Sequence, residues 1–146
     1  MRRKSTFKLL GWMLLLLSSV NVMADAEVAV VANKNLAADT LPVSLARKLW
    51  LGKSHTIPGI GKVTVVDQQP GNGATKIFYK KVVKKTPNQL KAYWAKVVFT
   101  GKGYPPRAFD SNEEVLSWVA ATPNGLGYVD GSAVDDSVKI LFTIEQ

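Results

Sequence analysis

The amino-acid sequence predicts a single α/β domain in which helices cover one sheet. Three observations carry that reading. Short β-branched runs alternate with helix-period segments in a βαβααβ-like order, the pattern of one sheet with helices packed on its faces. Two internal Ser/Thr-x-x-Gln/Glu signals mark helix starts. At 146 residues and 47% hydrophobic, the chain has the length and apolar content for one domain with a proper core.

In chain order, Glu27-Val28-Ala29-Val30-Val31-Ala32 is a Val-rich apolar run that reads as a strand covered on both faces. Pro42 and Ser44 are start signals for a helix of about two turns over Leu45 to Leu51, with Gly52 as its stop. Lys53 to Lys62 contains Pro58, Gly59 and Gly61 and reads as a loop, followed by a strand from Val63 to Asp67. Lys76 to Lys85 reads as helix, with Ile77, Phe78 and Val82 on one side and Lys80, Lys84 and Lys85 largely on the solvated other. Thr86-Pro87-Asn88-Gln89 is a capping box with proline at the first helical position. Leu90, Tyr93, Trp94, Val97 and Val98 then recur at helical spacing until Gly101 and Gly103. Tyr104-Pro105-Pro106-Arg107 is an extended connection. Ser111-Asn112-Glu113-Glu114 supplies a second capping box for a helix with Val115, Leu116 and Val119 inside, ending at Pro123-Asn124-Gly125. Leu126 to Val129 and Val138 to Ile144 are the last strands, joined by a turn through Asp130-Gly131-Ser132.

The N-terminus follows the secretory pattern: basic Arg2, Arg3, Lys4 and Lys8, an apolar run from Leu9 to Leu17, then Val22-Met23-Ala24. The expectation is a signal peptide over residues 1–24, cleaved after Ala24, and one exported domain over 25–146. The apolar run is shorter than the ~20 residues a bilayer span needs. The chain carries 19 Lys and Arg against 11 Asp and Glu; four of the basic residues precede position 25, leaving 15 against 11, a net charge of +4. That modest excess suits an anionic ligand or envelope surface, and export argues against nucleic acid. With no cysteine there is no disulfide, thiolate metal site or cysteine nucleophile.

The most informative local feature is Val63-Thr64-Val65-Val66-Asp67-Gln68-Gln69-Pro70-Gly71-Asn72-Gly73-Ala74-Thr75. A strand here breaks into a glycine-containing turn and feeds a helix, aiming backbone N–H groups and the positive end of a helix dipole at one spot. The ordinary alternative is a strand-to-helix turn in which Asn72 caps the helix.

Four motifs carry a family resemblance: Leu49-Trp50-Leu51-Gly52-Lys53, Val65-Val66-Asp67-Gln68, Gly71-Asn72-Gly73-Ala74-Thr75 with Phe78, and Asn124-Gly125-Leu126-Gly127-Tyr128-Val129. In order and spacing they resemble one lobe of the phosphate-binding proteins of bacterial ABC importers. Gln89 to Trp94 and Phe99 to Arg107 resemble a small exported subgroup with a single periplasmic-binding-protein-like domain. The resemblance implies one lobe of a type 2 periplasmic-binding-protein-like fold, a central mixed sheet flanked by helices. It also implies an oxyanion site, phosphate or similar, at Asn72, Gly73, Ala74 and Thr75. The family's loop usually reads Gly-Ser-Gly-Thr-Ser; here Asn72 and Ala74 stand at two hydroxyl positions. Asn72 and Thr75 retain side-chain donors, and the amides of Gly73, Ala74 and Thr75 remain.

The family closes two lobes around its ligand, and the resemblance covers one. A membrane permease, a sensor, a porin or a second copy in a homo-oligomer is therefore an expected partner. The alternative is an envelope interaction or sensory module with no small ligand. Lys76 and Arg107 are candidate sources of positive charge near the loop, and Asp67 a candidate acceptor for a protonated ligand. His55, the only histidine, lies in a Gly/Pro-containing loop without metal-ligand spacing to a partner. Trp50, Trp94 and Trp118 fit the core. No nucleophile elbow, acid pair or nucleotide loop is present, so the expectation is a binding protein, not an enzyme, with no cofactor and no metal.

Overall fold

The computed structural model describes residues 28–145; the expected signal peptide and the cleavage at Ala24 lie outside them. Eight strands and four α-helices follow in chain order. They are β1 (Val28–Asn33), α1 (Val43–Trp50), β2 (Thr56–Ile57), β3 (Gly61–Lys62), β4 (Thr64–Val65), β5 (Asp67–Gln68), α2 (Gly73–Phe78), α3 (Pro87–Phe99), β6 (Ala108–Phe109), α4 (Asn112–Ala121), β7 (Gly125–Asp130) and β8 (Val138–Ile144). The main sheet runs β4-β7-β1-β8. It is mixed: β1 is antiparallel to both β7 and β8, whereas β4 is parallel to β7.

The Val-rich first strand is central because it is apolar on both faces. All six of its residues are buried. Val28, Val30 and Ala32 face a core with Trp50, Phe78, Leu126 and Tyr128, supplied by α1, α2 and β7. Ala29 and Val31 face the other way, against Val115, Leu116 and Val119 of α4. The architecture is thus three layers, with helices on both faces of the sheet.

Gly127 sets the spacing of the second layer. A Cβ there would lie 2.6 Å from Val115 Cγ1 and 3.2 Å from Val119 Cγ2, so only a glycine lets α4 lie this close to β7. The indole Nε1 of Trp50 donates to the Val66 carbonyl at 3.0 Å, fixing α1 against the chain just before β5.

Several elements differ from the sequence expectation. The predicted loop over Lys53 to Lys62 holds a short hairpin, β2 with β3, because Gly59 and Gly61 take positive φ values of 78° and 117°. The predicted single strand from Val63 to Asp67 is broken. Thr64 and Val65 pair with β7, then Asp67 and Gln68 change partner and pair with β6, a strand that the sequence reading did not anticipate. The helix expected from Lys76 begins earlier, at Gly73, and passes into a π-helical segment, Tyr79–Val83. That segment ends at Lys84 in the left-handed region, φ 59°, with its N–H on the Tyr79 carbonyl at 2.7 Å.

Of the two capping boxes, the first is complete: Thr86 Oγ1 accepts from the Gln89 N–H, and Gln89 Oε1 from the Thr86 N–H. The second is half formed. Ser111 Oγ accepts from the Glu114 N–H, but the Glu114 carboxylate reaches past Ser111 to the Asp110 N–H. The amphipathic face of α3 is only partly covered. Trp94 is buried, Tyr93 donates its hydroxyl to the Leu51 carbonyl at 2.5 Å, and Val98 and Phe99 are exposed.

Gly127→Ala is expected to destabilise the fold by about 1–3 kcal/mol through overpacking against α4, measured by chemical denaturation. Lys84→Gly is expected to act oppositely, adding about 0.5–1 kcal/mol. It removes a left-handed strain of about 1–2 kcal/mol and gives back part of the gain in chain entropy.

Candidate functional site

The partner change after Val65 creates the site. Val66 donates its N–H to Leu126 of β7, and the next residue, Asp67, donates to Arg107 on the other side, so β5 splays away from the main sheet. Parallel strands that diverge leave a crevice at their carboxyl ends, the usual ligand position in open α/β sheets. Here that crevice is floored by polar side chains.

Asp67 is at the centre. Its carboxylate accepts hydrogen bonds from the hydroxyls of Tyr79 and Tyr128 and from the Gln68 N–H. Burial pushes the Asp67 carboxyl above its ordinary value, against the opposing pull of the bonds from Tyr128, Tyr79 and Gln68. Burial likewise drives both tyrosines well above 10.0, with the neighbouring Asp67 carboxylate adding to the shift. Tyr79 reaches the carboxylate from the start of the π-helical segment, and Tyr128 from the middle of β7. Phe78 stacks on Tyr128 with ring centroids 4.1 Å apart and fixes the orientation of the phenol.

Gln68 spreads the network outward. Its side-chain amide donates to the Tyr128 carbonyl at 2.8 Å and to Asn112 Oδ1 at 3.0 Å, and its Oε1 accepts from Asn72 at 3.0 Å. Asn112 in turn donates to Asp130. These side chains close the gap that the splayed strand leaves in the backbone ladder.

Of the four residues of the predicted anion turn, Thr75 lines the space beside Asp67 and Gln68, Ala74 and Thr75 are buried, and the turn feeds α2 as expected. Asn72 occupies the N-cap position, yet its side chain does not cap the helix. Both hydrogens of its amide are committed, to Gln68 Oε1 and to the Asp110 carbonyl at 3.0 Å. The Thr75 hydroxyl donates to the Gln69 carbonyl at 2.9 Å. The two side-chain donors that the sequence offered to a ligand are therefore spent inside the protein. Among the described residues, no acceptor takes the N–H groups of Gly73, Ala74 or Thr75. The space in front is open at the glycines: a Cβ on Gly71 or Gly73 would meet nothing within 4 Å.

Other candidates fall elsewhere. Arg107 lays its guanidinium over the Phe109 ring, 4.6 Å from the centroid. Lys76 lines a groove beside α2. His55 is exposed, and no group of three or more metal-ligating side chains occurs among the described residues. Trp50 is fully buried and Trp94 nearly so, while Trp118 packs half-buried against Phe109. The residues missed from sequence are Tyr79, Tyr128, Gln68 and Asn112. Only the acid at the end of an apolar strand hinted that buried donors had to be near it.

The fold has known counterparts. Its mixed sheet with helices on both faces matches part of the following crystal structures, consistent with the expected lobe of a periplasmic-binding-protein-like fold. An ABC-type phosphate transport receptor from Vibrio cholerae superposes with a TM-score of 0.64 at 17% identity, over 80% of this chain and 45% of that one. A protein from Clostridium perfringens, assigned as a phosphate ABC transporter substrate-binding protein and crystallised with bound phosphate, gives 0.63 at 21%, over 80% and 44%. PstS from Borrelia burgdorferi gives 0.59 at 12%, over 80% and 46%. The chain has the fold of one lobe of the phosphate ABC transporter substrate-binding proteins and spans less than half the length of these matches. No family model matches the sequence, and no curated protein matches it.

The shifts at Asp67 and the tyrosines set the pH dependence of stability. A carboxyl whose folded-state pKa is raised contributes stability in full below its unfolded value, here 3.8, and loses it as pH rises through the folded value. Denaturation curves from about pH 4 upward should therefore show Asp67→Asn gaining on the wild type. Above pH 10 the unfolded tyrosines ionise and the buried ones resist, so stability falls again. At neutral pH, Tyr128→Phe removes a donor from a buried carboxylate and is expected to cost about 1.5–3 kcal/mol.

Proposed function

We propose that this domain is an exported binding-protein-like lobe that takes phosphate or a similar tetrahedral oxyanion at the turn Asn72, Gly73, Ala74 and Thr75, in connection with phosphate ABC transport. One observation carries the reading. The residue placed to cap α2 turns its side chain inward, leaving the N–H groups of Gly73, Ala74 and Thr75 without an acceptor among the described residues, with open space at Gly71 and Gly73. Backbone amides at a helix start bind anions without help from side chains, which answers the loss of hydroxyls at Asn72 and Ala74. Asn72 and Thr75 act as positioning residues, holding the turn through Gln68, Asp110 and Gln69. The likeness to phosphate receptors supports the ligand class. An anion on this one wall faces water, where each contact is worth at most about 1 kcal/mol, so tight capture needs a second wall from a partner or another copy.

A second reading, an envelope interaction or sensory module without a small ligand, draws on a different place. Phe99 is 91% exposed beside exposed Val98 at the end of α3, and Tyr104, five residues further on, is 82% exposed. Aromatic side chains left in water at one end of a helix are suited to contact with a membrane permease, sensor or porin.

Titration calorimetry with phosphate, sulfate and small carboxylates separates the two. Heat from phosphate or sulfate at millimolar concentration is expected; none for any oxyanion removes the first reading. Gly73→Pro sharpens the test. Proline at the first helical position leaves the helix intact, and Asn72 already has the extended backbone, φ −74° and ψ 143°, that a following proline demands. The substitution replaces one N–H with the ring Cδ of proline, so phosphate affinity should fall at least about tenfold, about 1.4 kcal/mol, with little change in melting temperature.

A further inference from the structure

A groove of about 950 Å³ runs between the helical stretch from α2 through its π-helical extension and α3. Its size lies at the upper end of the ~300–1,000 Å³ typical of small-ligand sites. Along α3 and the π-helical segment the floor is apolar, built on Tyr79, Leu90 and Trp94; at the α2 end it meets the polar side chains of Asp67, Gln68 and Thr75. The rim is basic: Lys76, Lys80, Lys84, Lys85 and Lys91 all line it. Among the described residues, none of these five lysines forms an ion pair; Lys85 lies over the Tyr93 ring, 5.2 Å from its centroid. Asp67, the one acid in the lining, is already held by Tyr79, Tyr128 and the Gln68 N–H. Lys84 keeps its place on the rim although its backbone is left-handed, a conformation that costs a lysine what a glycine would not lose.

Like charges around an apolar floor call for a ligand with an apolar body and a negative end. We propose that the groove binds an anionic amphiphile, a single alkyl or acyl chain ending in phosphate or carboxylate, with the chain along Leu90 and Trp94 and the anionic end among the lysines. Charge argues against the other occupants. A second copy would bring the same basic rim, and the chain's own apolar N-terminal run, Leu9 to Leu17, is preceded by Arg2, Arg3, Lys4 and Lys8. An extended peptide needs free backbone N–H groups on a sheet edge, and those of Asp67 and Gln68, the strand residues in the lining, are already taken by the Arg107 carbonyl and by Asp67 Oδ1. A helical peptide needs anchors over two or more turns, whereas Leu90 and Trp94 span about one turn of α3. Thr75 of the oxyanion turn also lines the groove, with Asp67, Gln68 and Pro70, so the two sites adjoin, and inorganic phosphate is the probe that tells them apart.

The test is titration of the purified protein, followed by calorimetry and tryptophan fluorescence, with decyl phosphate below its micelle-forming concentration. Neutral decyl maltoside, inorganic phosphate and hexaglutamate are the comparison probes. Saturable one-to-one binding of decyl phosphate is expected, at least tenfold tighter than decyl maltoside or hexaglutamate and not displaced by millimolar inorganic phosphate. The double variant Lys80→Glu/Lys91→Glu should weaken it at least tenfold, and Lys84→Glu/Lys85→Glu likewise should the first pair fold poorly; Lys102→Glu, outside the groove, should not. Absence of saturable binding, equal affinity for decyl maltoside, preference for hexaglutamate, or indifference to both charge reversals would each overturn the proposal. Binding of inorganic phosphate at the turn is scored separately, so either idea fails without the other.

Discussion

A buried carboxylate has to find donors, and much of this domain is arranged around that need. Asp67 sits where β5 leaves the main sheet, and its hydrogen bonds come from Tyr79 on the helical layer, Tyr128 on β7 and the next residue's own N–H. Three separate stretches of chain therefore meet at one charge. Removing any donor leaves part of that charge unsatisfied in a low-dielectric interior, a much larger penalty than loss of an exposed contact. The π-helical segment fits the same account: the wider turn begins at Tyr79, the residue whose hydroxyl reaches Asp67.

The consequence for the surface is indirect but specific. With the carboxylate fixed, Gln68 is free to bridge β7 and α4, and its Oε1 draws in the Asn72 amide. Drawing in that amide is what leaves the start of α2 uncapped by its own side chain. The uncommitted N–H groups of Gly73, Ala74 and Thr75 and the buried carboxylate are thus opposite ends of one hydrogen-bond network. Such a network holds the turn in place, which is what the proposed anion site needs, because a mobile loop would give up in entropy what its amides gain in contact.

Much of the fold was legible in the chain. β1 announced itself by an unbroken Val-rich run, and α3 by the capping box at Thr86, because both signals are local and energetically lopsided. β8 lay where its apolar run placed it. The break at Val66 was not legible: Val63 to Val66 is uniformly β-branched, and the change of partner from β7 to β6 depends on residues more than 40 positions away. The hairpin of β2 and β3 was masked by the glycines that make its turn. The candidate turn was legible as strand, glycine and helix start, but the direction of the Asn72 side chain was not, since capping and bridging use the same amide.

The sequence by itself determined the class of fold, the position of the turn and the basic, cysteine-free character of the chain. These follow from periodicity, capping and composition, which are properties of neighbours along the chain. The tertiary structure alone decided which donors satisfy Asp67, which N–H groups stay uncommitted, and that five lysines share one apolar groove. Those outcomes depend on distance in space, and hydrogen bonds and charges act across space whatever the separation in sequence.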